Sequence, residues 1–135
     1  MANFLFVMVG KDDIPLYQTG NLVLQREGIS HMGQFVVHSS LDVIEELLLK
    51  ASTMNLKIVD HYEDYNISAF VTAGNVKLVL LHDLKNEESV KAFFLAVNEY
   101  YIKILLNPFY EINTPITSPY FGSRVRNAAK RHLKP

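Results

Sequence analysis

The 135-residue chain contains no cysteine. Disulfides, thiol nucleophiles and thiolate-bound zinc or iron–sulfur clusters are thereby excluded. Glycine is sparse, and Gly10, Gly20, Gly28, Gly33, Gly74 and Gly122 stand singly. A phosphate-cradling loop needs glycines clustered at fixed spacing, so none is encoded. No apolar stretch reaches the about 18 residues expected of a membrane-spanning helix. The apolar run Phe4-Leu5-Phe6-Val7-Met8-Val9 has no basic residue before it and no small-residue cleavage site after it, so a signal peptide is not expected. Ala2 stands where N-myristoylation needs glycine. Net charge is also small, formally −1, so no overall field draws the chain to nucleic acid.

What is present suits a single domain spanning residues 1–135. Hydrophobic residues make up 49% of the chain and charged residues 20%, a globular composition. A chain of this length buries roughly two-thirds of its unfolded surface without needing covalent staples. The charge is unevenly spread. Residues 1–119 hold all 14 acids against eight Lys/Arg, a balance of −6. The last sixteen residues hold Arg124, Arg126, Lys130, Arg131 and Lys134 and no acid, a balance of +5. An acidic body with a basic terminal element is either a solvated helix face or a contact for an anionic surface or an acidic partner. Nucleic acid fits less well, because no aromatic platform is interleaved with the basic residues.

Patterning predicts the elements. The first strand covers about 3–10, and a second, at 14–18, is short or starts late because Pro15 cannot donate to a ladder. Residues 20–28 read as an irregular excursion. Helical spacing runs from about 31 to 54 with two apolar stripes, one Val37, Leu41, Ile44, Leu48 and Ala51, the other Met32, Phe35, Val36, Val43 and Leu47. A helix lying on a sheet needs only one stripe, so the second is expected to meet another helix or a partner. Strands at 57–62, 66–72 and 76–82 form a meander, with a tight turn at Gly74-Asn75. A helix from about 87 to 106, capped by Asn86, carries the stripe Val90, Phe93, Phe94, Val97, Tyr101, Ile104 and Leu105. Pro108 ends it. A proline-rich link leads to a last helix at about 121–133. The order β-β-α-β-β-β-α-α implies an α+β fold with one five-stranded antiparallel sheet covered by helices.

Catalytic constellations are weak. Ser39 and Ser40 lack a nucleophile elbow. Asp42, Glu45 and Glu46 crowd one helical turn, as solvated acids usually do. His31 and His38 share a helix face two turns apart, with no third ligand. His82-Asp83 resembles a metal phosphohydrolase dipeptide without the further ligands such a site needs. These residues point away from catalysis and towards an interaction module.

The stretches Gln34-Phe35-Val36-Val37-His38-Ser39-Ser40-Leu41-Asp42-Val43, Ser68-Ala69-Phe70-Val71-Thr72-Ala73-Gly74 and Leu80-Leu81-His82-Asp83 together resemble the sedlin family of small TRAPP subunits. Tyr101-Ile102-Lys103, Leu106-Asn107-Pro108-Phe109-Tyr110-Glu111, Ile116-Thr117-Ser118 and Phe121 extend the likeness almost end to end, with residues 19–30 outside it. Pro15-Leu16-Tyr17 and His38-Ser39-Ser40-Leu41-Asp42 are also similar to a paralogous sedlin-like TRAPP subunit. Thr72-Ala73-Gly74 and Leu81-His82-Asp83 are more similar to the sedlin family proper than to that paralogue.

The resemblance implies a longin or profilin-like fold, no enzymatic activity and no cofactor. It implies an adaptor that joins the TRAPP core to its large peripheral subunits in ER-to-Golgi transport. The complex, not this subunit, promotes nucleotide exchange on a Rab-family GTPase. The implied location is cytoplasmic and peripheral at ER–Golgi intermediate and Golgi membranes, with a nuclear pool left open. Asp42 matches a family aspartate in a helix segment linked to partner attachment, and Glu45, Glu46 and His38 accompany it as interface candidates. Arg124, Arg126, Lys130 and Arg131 are the candidates for an anionic-surface contact. The competing reading is a small lipid- or ligand-binding domain, or a hydrolase built from His38, Asp42, His82 and Asp83. It requires those side chains to share a cleft.

Overall fold

A computed structural model describes residues 4–10, 14–20, 41–46, 55–62, 65–72, 76–83 and 87–133. The strands are β1 (Phe4–Val9), β2 (Pro15–Gly20), β3 (Asn55–Tyr62), β4 (Tyr65–Val71) and β5 (Lys77–His82). Residues 41–46 form a helical segment, α1, between β2 and β3. Helices α2 (Glu87–Leu105) and α3 (Pro119–His132) complete the chain. This is an α+β architecture. The expected helix outside residues 41–46, with His31, His38, Ser39, Ser40 and much of its second apolar stripe, lies outside the described residues. So do the 21–28 part of the excursion, the Gly74-Asn75 turn and the Asn86 cap.

All pairings in the sheet are antiparallel, in the order β2-β1-β5-β4-β3. The centre is a pairing distant in sequence, in which Phe4 faces His82 and Val9 faces Lys77. Pro15 opens β2 on the sheet edge, where its missing N–H costs least. The register shifts at Met8/Val9, opposite that proline.

Strand alternation divides the interior into two layers. Phe4, Phe6, Met8, Phe70, Leu78 and Leu80 point to one face. There they meet Val90, Phe93, Phe94, Val97 and Tyr101 of α2, and Phe121, Val125, Ala128 and Ala129 of α3. Val7, Val9, Ile67, Ala69, Val71, Val79 and Leu81 point to the other and meet Leu41 and Ile44 of α1. Burial on both faces explains why β1 and β5 read as continuous apolar runs. The α2 layer is knit by aromatic edges: Phe93 lies 5.2 Å from Phe6 and 6.5 Å from Phe4 between ring centroids, both edge-on. The stripe predicted for α2 is buried through Tyr101, but Ile104 is half-buried and Leu105 is 38% exposed. Ile104 still packs against the core, whereas Leu105 turns outward.

Helix α3 begins at Pro119, two residues earlier than its spacing predicts. Ser118 caps it, its hydroxyl accepting from the Phe121 N–H at 3.3 Å. Proline at the first helical position lacks only a donor that would find no partner there. Gly122 lies where a Cβ would stand 3.0 Å from the Tyr17 hydroxyl and 3.2 Å from Arg126, and its bareness lets α3 approach β2. Phe121 completes that seam, 5.1 Å from the Tyr17 ring.

Candidate protein-interaction site

Helix α1 is anchored from below and open above. Leu41 and Ile44 are buried against the sheet, while Asp42, Glu45 and Glu46 are exposed. Glu45 also reaches inward. Its carboxylate accepts from the ammonium of Lys77, a β5 residue only 3% exposed. A lysine inside an apolar layer needs such a partner, because an unpaired buried ammonium is costly. The sequence contains Lys77 only as one positive charge among thirteen. The signal that identifies it is its odd position in β5, in phase with Val79 and Leu81 and so facing α1. Asp42 and Glu46 are one turn apart and share a face of the helix.

His82 faces the opposite layer. It is 1% exposed, and its Nε2 is 2.8 Å from the hydroxyl of Ser68 on the neighbouring strand. Asp42 and His82 are thus separated by the thickness of the sheet, and Asp83 is exposed at the end of β5. Of the constellation of His38, Asp42, His82 and Asp83, Asp42 and His82 are therefore not brought together, and His38 lies outside the described residues. Among the described residues, no group of three or more His, Asp or Glu is arranged to hold a metal ion. No described helix is long and apolar enough to cross a membrane.

Arg124, Arg126, Lys130 and Arg131 are all exposed on α3, and no acid occupies its first turn. They do not act alike. Arg124 lies over the Tyr120 ring at 4.8 Å and near the Tyr100 ring at 6.0 Å, and it donates to the Tyr120 hydroxyl. Next to His132, Arg131 adds to partial burial in holding the imidazole below its ordinary value, burial being the larger cause.

A third surface was not legible as a site. The link after α2 exposes Leu106, Phe109 and Ile112, at 77%, 93% and 76%. It is nevertheless well tied. The Asn107 side chain accepts from the Phe109 N–H, the Tyr110 hydroxyl donates to the Thr114 carbonyl, and the Thr114 hydroxyl donates to the Glu111 carbonyl. Ile116 then bonds to Leu16 of β2 and returns the chain to the core. Exposed apolar side chains on an ordered loop are prepaid contact surface, since little entropy remains to be lost on docking.

The class these features define is a small α+β domain, one sheet with helical cover on both faces, whose distinctive surfaces are suited to contacts. The chain belongs to the sedlin family, whose model matches residues 8–131. It is 38% identical to the probable trafficking protein particle complex subunit 2 of Drosophila melanogaster, over 98% of this chain and 99% of that protein. It is equally 38% identical to the transport protein particle 20 kDa subunit of Schizosaccharomyces pombe, over 93% and 96%. With the trafficking protein particle complex subunit 2-like protein of Bos taurus the identity is 29%, over 87% and 90%.

Proposed function

We propose that this chain is a subunit of a trafficking protein particle (TRAPP) complex and acts there as a non-enzymatic adaptor in vesicle transport. The observation that carries the reading is the near full-length likeness to proteins named as subunits of that complex. The lower identity to a subunit 2-like protein supports the subunit 2 reading over its paralogue. The α+β sheet with helical layers on both faces is consistent with a longin-like fold in one domain. Partners are the core and large peripheral subunits. A Rab-family GTPase and the ER–Golgi membranes are reached through the assembled, cytoplasmic complex.

The adaptor reading assigns Asp42 and Glu46 to a partner contact, with Glu45 holding their helix and His38 beside them in sequence. Exposed charge of this kind steers association and fixes register. The test is Asp42→Lys, expressed in cells and captured with its partners. The folded variant is expected to lose the large peripheral subunits. Full recovery of every subunit would remove Asp42 from the interface.

A further inference from the structure

At the junction of α2 and α3 lies a cleft of about 220 Å³, lined by Tyr100, Lys103, Ile104, Tyr120, Phe121 and Arg124, together with Asn107 and Ser118. Phe121 is buried, and Ile104 and Tyr100 are half-buried. Most of its wall is therefore aromatic or aliphatic. The charged residues among its lining are two cations, Lys103 and Arg124, both exposed, and no acid lines it. Arg124 is held in place by its stacking on Tyr120 and its donation to the Tyr120 hydroxyl. A guanidinium has five N–H donors, and this bond takes one. An apolar recess bordered by two like charges is complementary to an apolar group with a carboxylate next to it.

Size and surroundings narrow the occupant. Pockets for small organic ligands measure about 300–1,000 Å³, and this cleft falls below that range. It has room for one bulky side chain. Leu106 and Phe109, which follow the cleft residue Ile104 in sequence, are exposed apolar side chains that a larger partner would cover. An anionic bilayer fits less well, because exposed Glu99 and Glu111 stand in the same stretch of chain. One localised carboxylate at Lys103 and Arg124 avoids that repulsion.

We infer that this cleft is a peptide-anchor site, which takes a bulky apolar side chain followed by acidic residues from a segment of a partner protein. The inference rests on the adaptor reading for its partner, but its test does not need the complex. The probe is a short Gly/Ser peptide carrying Phe-Asp-Asp, titrated into the isotope-labelled full chain and followed by NMR. Amide shifts are expected at Tyr100, Lys103, Ile104 and residues 118–124, saturating in the millimolar range. A Phe-Lys-Lys peptide is expected to bind at least tenfold more weakly. The double variant Lys103→Glu, Arg124→Glu is expected to reverse that preference while keeping the spectrum of a folded chain.

Equal response to both peptides, shifts confined to other residues, or no response would overturn the inference. So would shifts at the cleft that grow with protein concentration alone, which mark a second copy of the chain. Binding to phosphatidylserine vesicles without peptide binding would reassign the surface to membrane. In parallel, the wild-type chain is captured with TRAPP subunits. Failure of that capture strikes the adaptor reading, whereas failure of the titration strikes the cleft alone.

Discussion

The ammonium of Lys77, buried beneath α1, is bonded to the carboxylate of Glu45, which stands on the exposed side of the same helix. The pair ties the acidic face of α1 to β5, which is paired directly with β1. Replacing Glu45 with Gln removes the charge partner of a buried cation. Lys77 has another contact as well, so the loss is placed in the lower half of the usual range, about 1–2 kcal/mol. Denaturant midpoints of the variant and wild type measure it. An unchanged midpoint would mean that the pair does not secure the helix.

Asp42 gives the contrasting case. It is exposed, and substitutions at such positions usually stay within about 0.5 kcal/mol of wild type. Asp42→Asn is therefore expected to unfold like wild type yet to slow association with the peripheral subunits, more so at low salt. Surface plasmon resonance on purified subunits, at two ionic strengths, checks both parts.

Phe93 is the keystone of the α2 layer, fully buried between Phe4, Phe6 and Phe94. Phe93→Ala is expected to cost about 3–5 kcal/mol, from lost transfer energy and the cavity left behind. Equilibrium unfolding measures this directly. A cost below about 1 kcal/mol would mean that α2 is not packed as described.

Burial, with a smaller contribution from Tyr110, pushes the Tyr101 hydroxyl up to about 12. The unfolded hydroxyl ionises near 10, so between about pH 10 and 12 the folded chain holds a proton the unfolded chain has lost. Stability from this residue is present below pH 10 and falls as pH rises through that window. Tyr101→Phe is expected to flatten the decline, as read from melting temperatures across alkaline pH. An identical slope in both proteins would contradict it.

Much of the fold was legible because burial imposes period. The two-sided burial of β1 and β5 made them continuous apolar runs, and α2 carried its stripe as far as Tyr101. The stripe misled at Leu105, because spacing registers a helix face and not how much of that face its neighbours cover. The order β2-β1-β5-β4-β3 was not legible, since the central β1–β5 pairing joins segments more than sixty residues apart. The same holds for sites. Asp42 is a candidate through the family resemblance and not through its local acidic turn, which reads as solvated, and the bond from Lys77 to Glu45 crosses elements. The cleft is assembled from the end of one helix and the start of the next. Leu106, Phe109 and Ile112 read as an ordinary link, because no periodicity marks an apolar side chain that an ordered loop turns outward.

The most direct test of the adaptor account is affinity capture of the full chain from its own cells, with bound proteins identified by mass spectrometry. The account predicts stoichiometric recovery of core and large peripheral TRAPP subunits, with the peripheral ones lost from the Asp42→Lys variant. Recovery of the chain without any TRAPP subunit would contradict it.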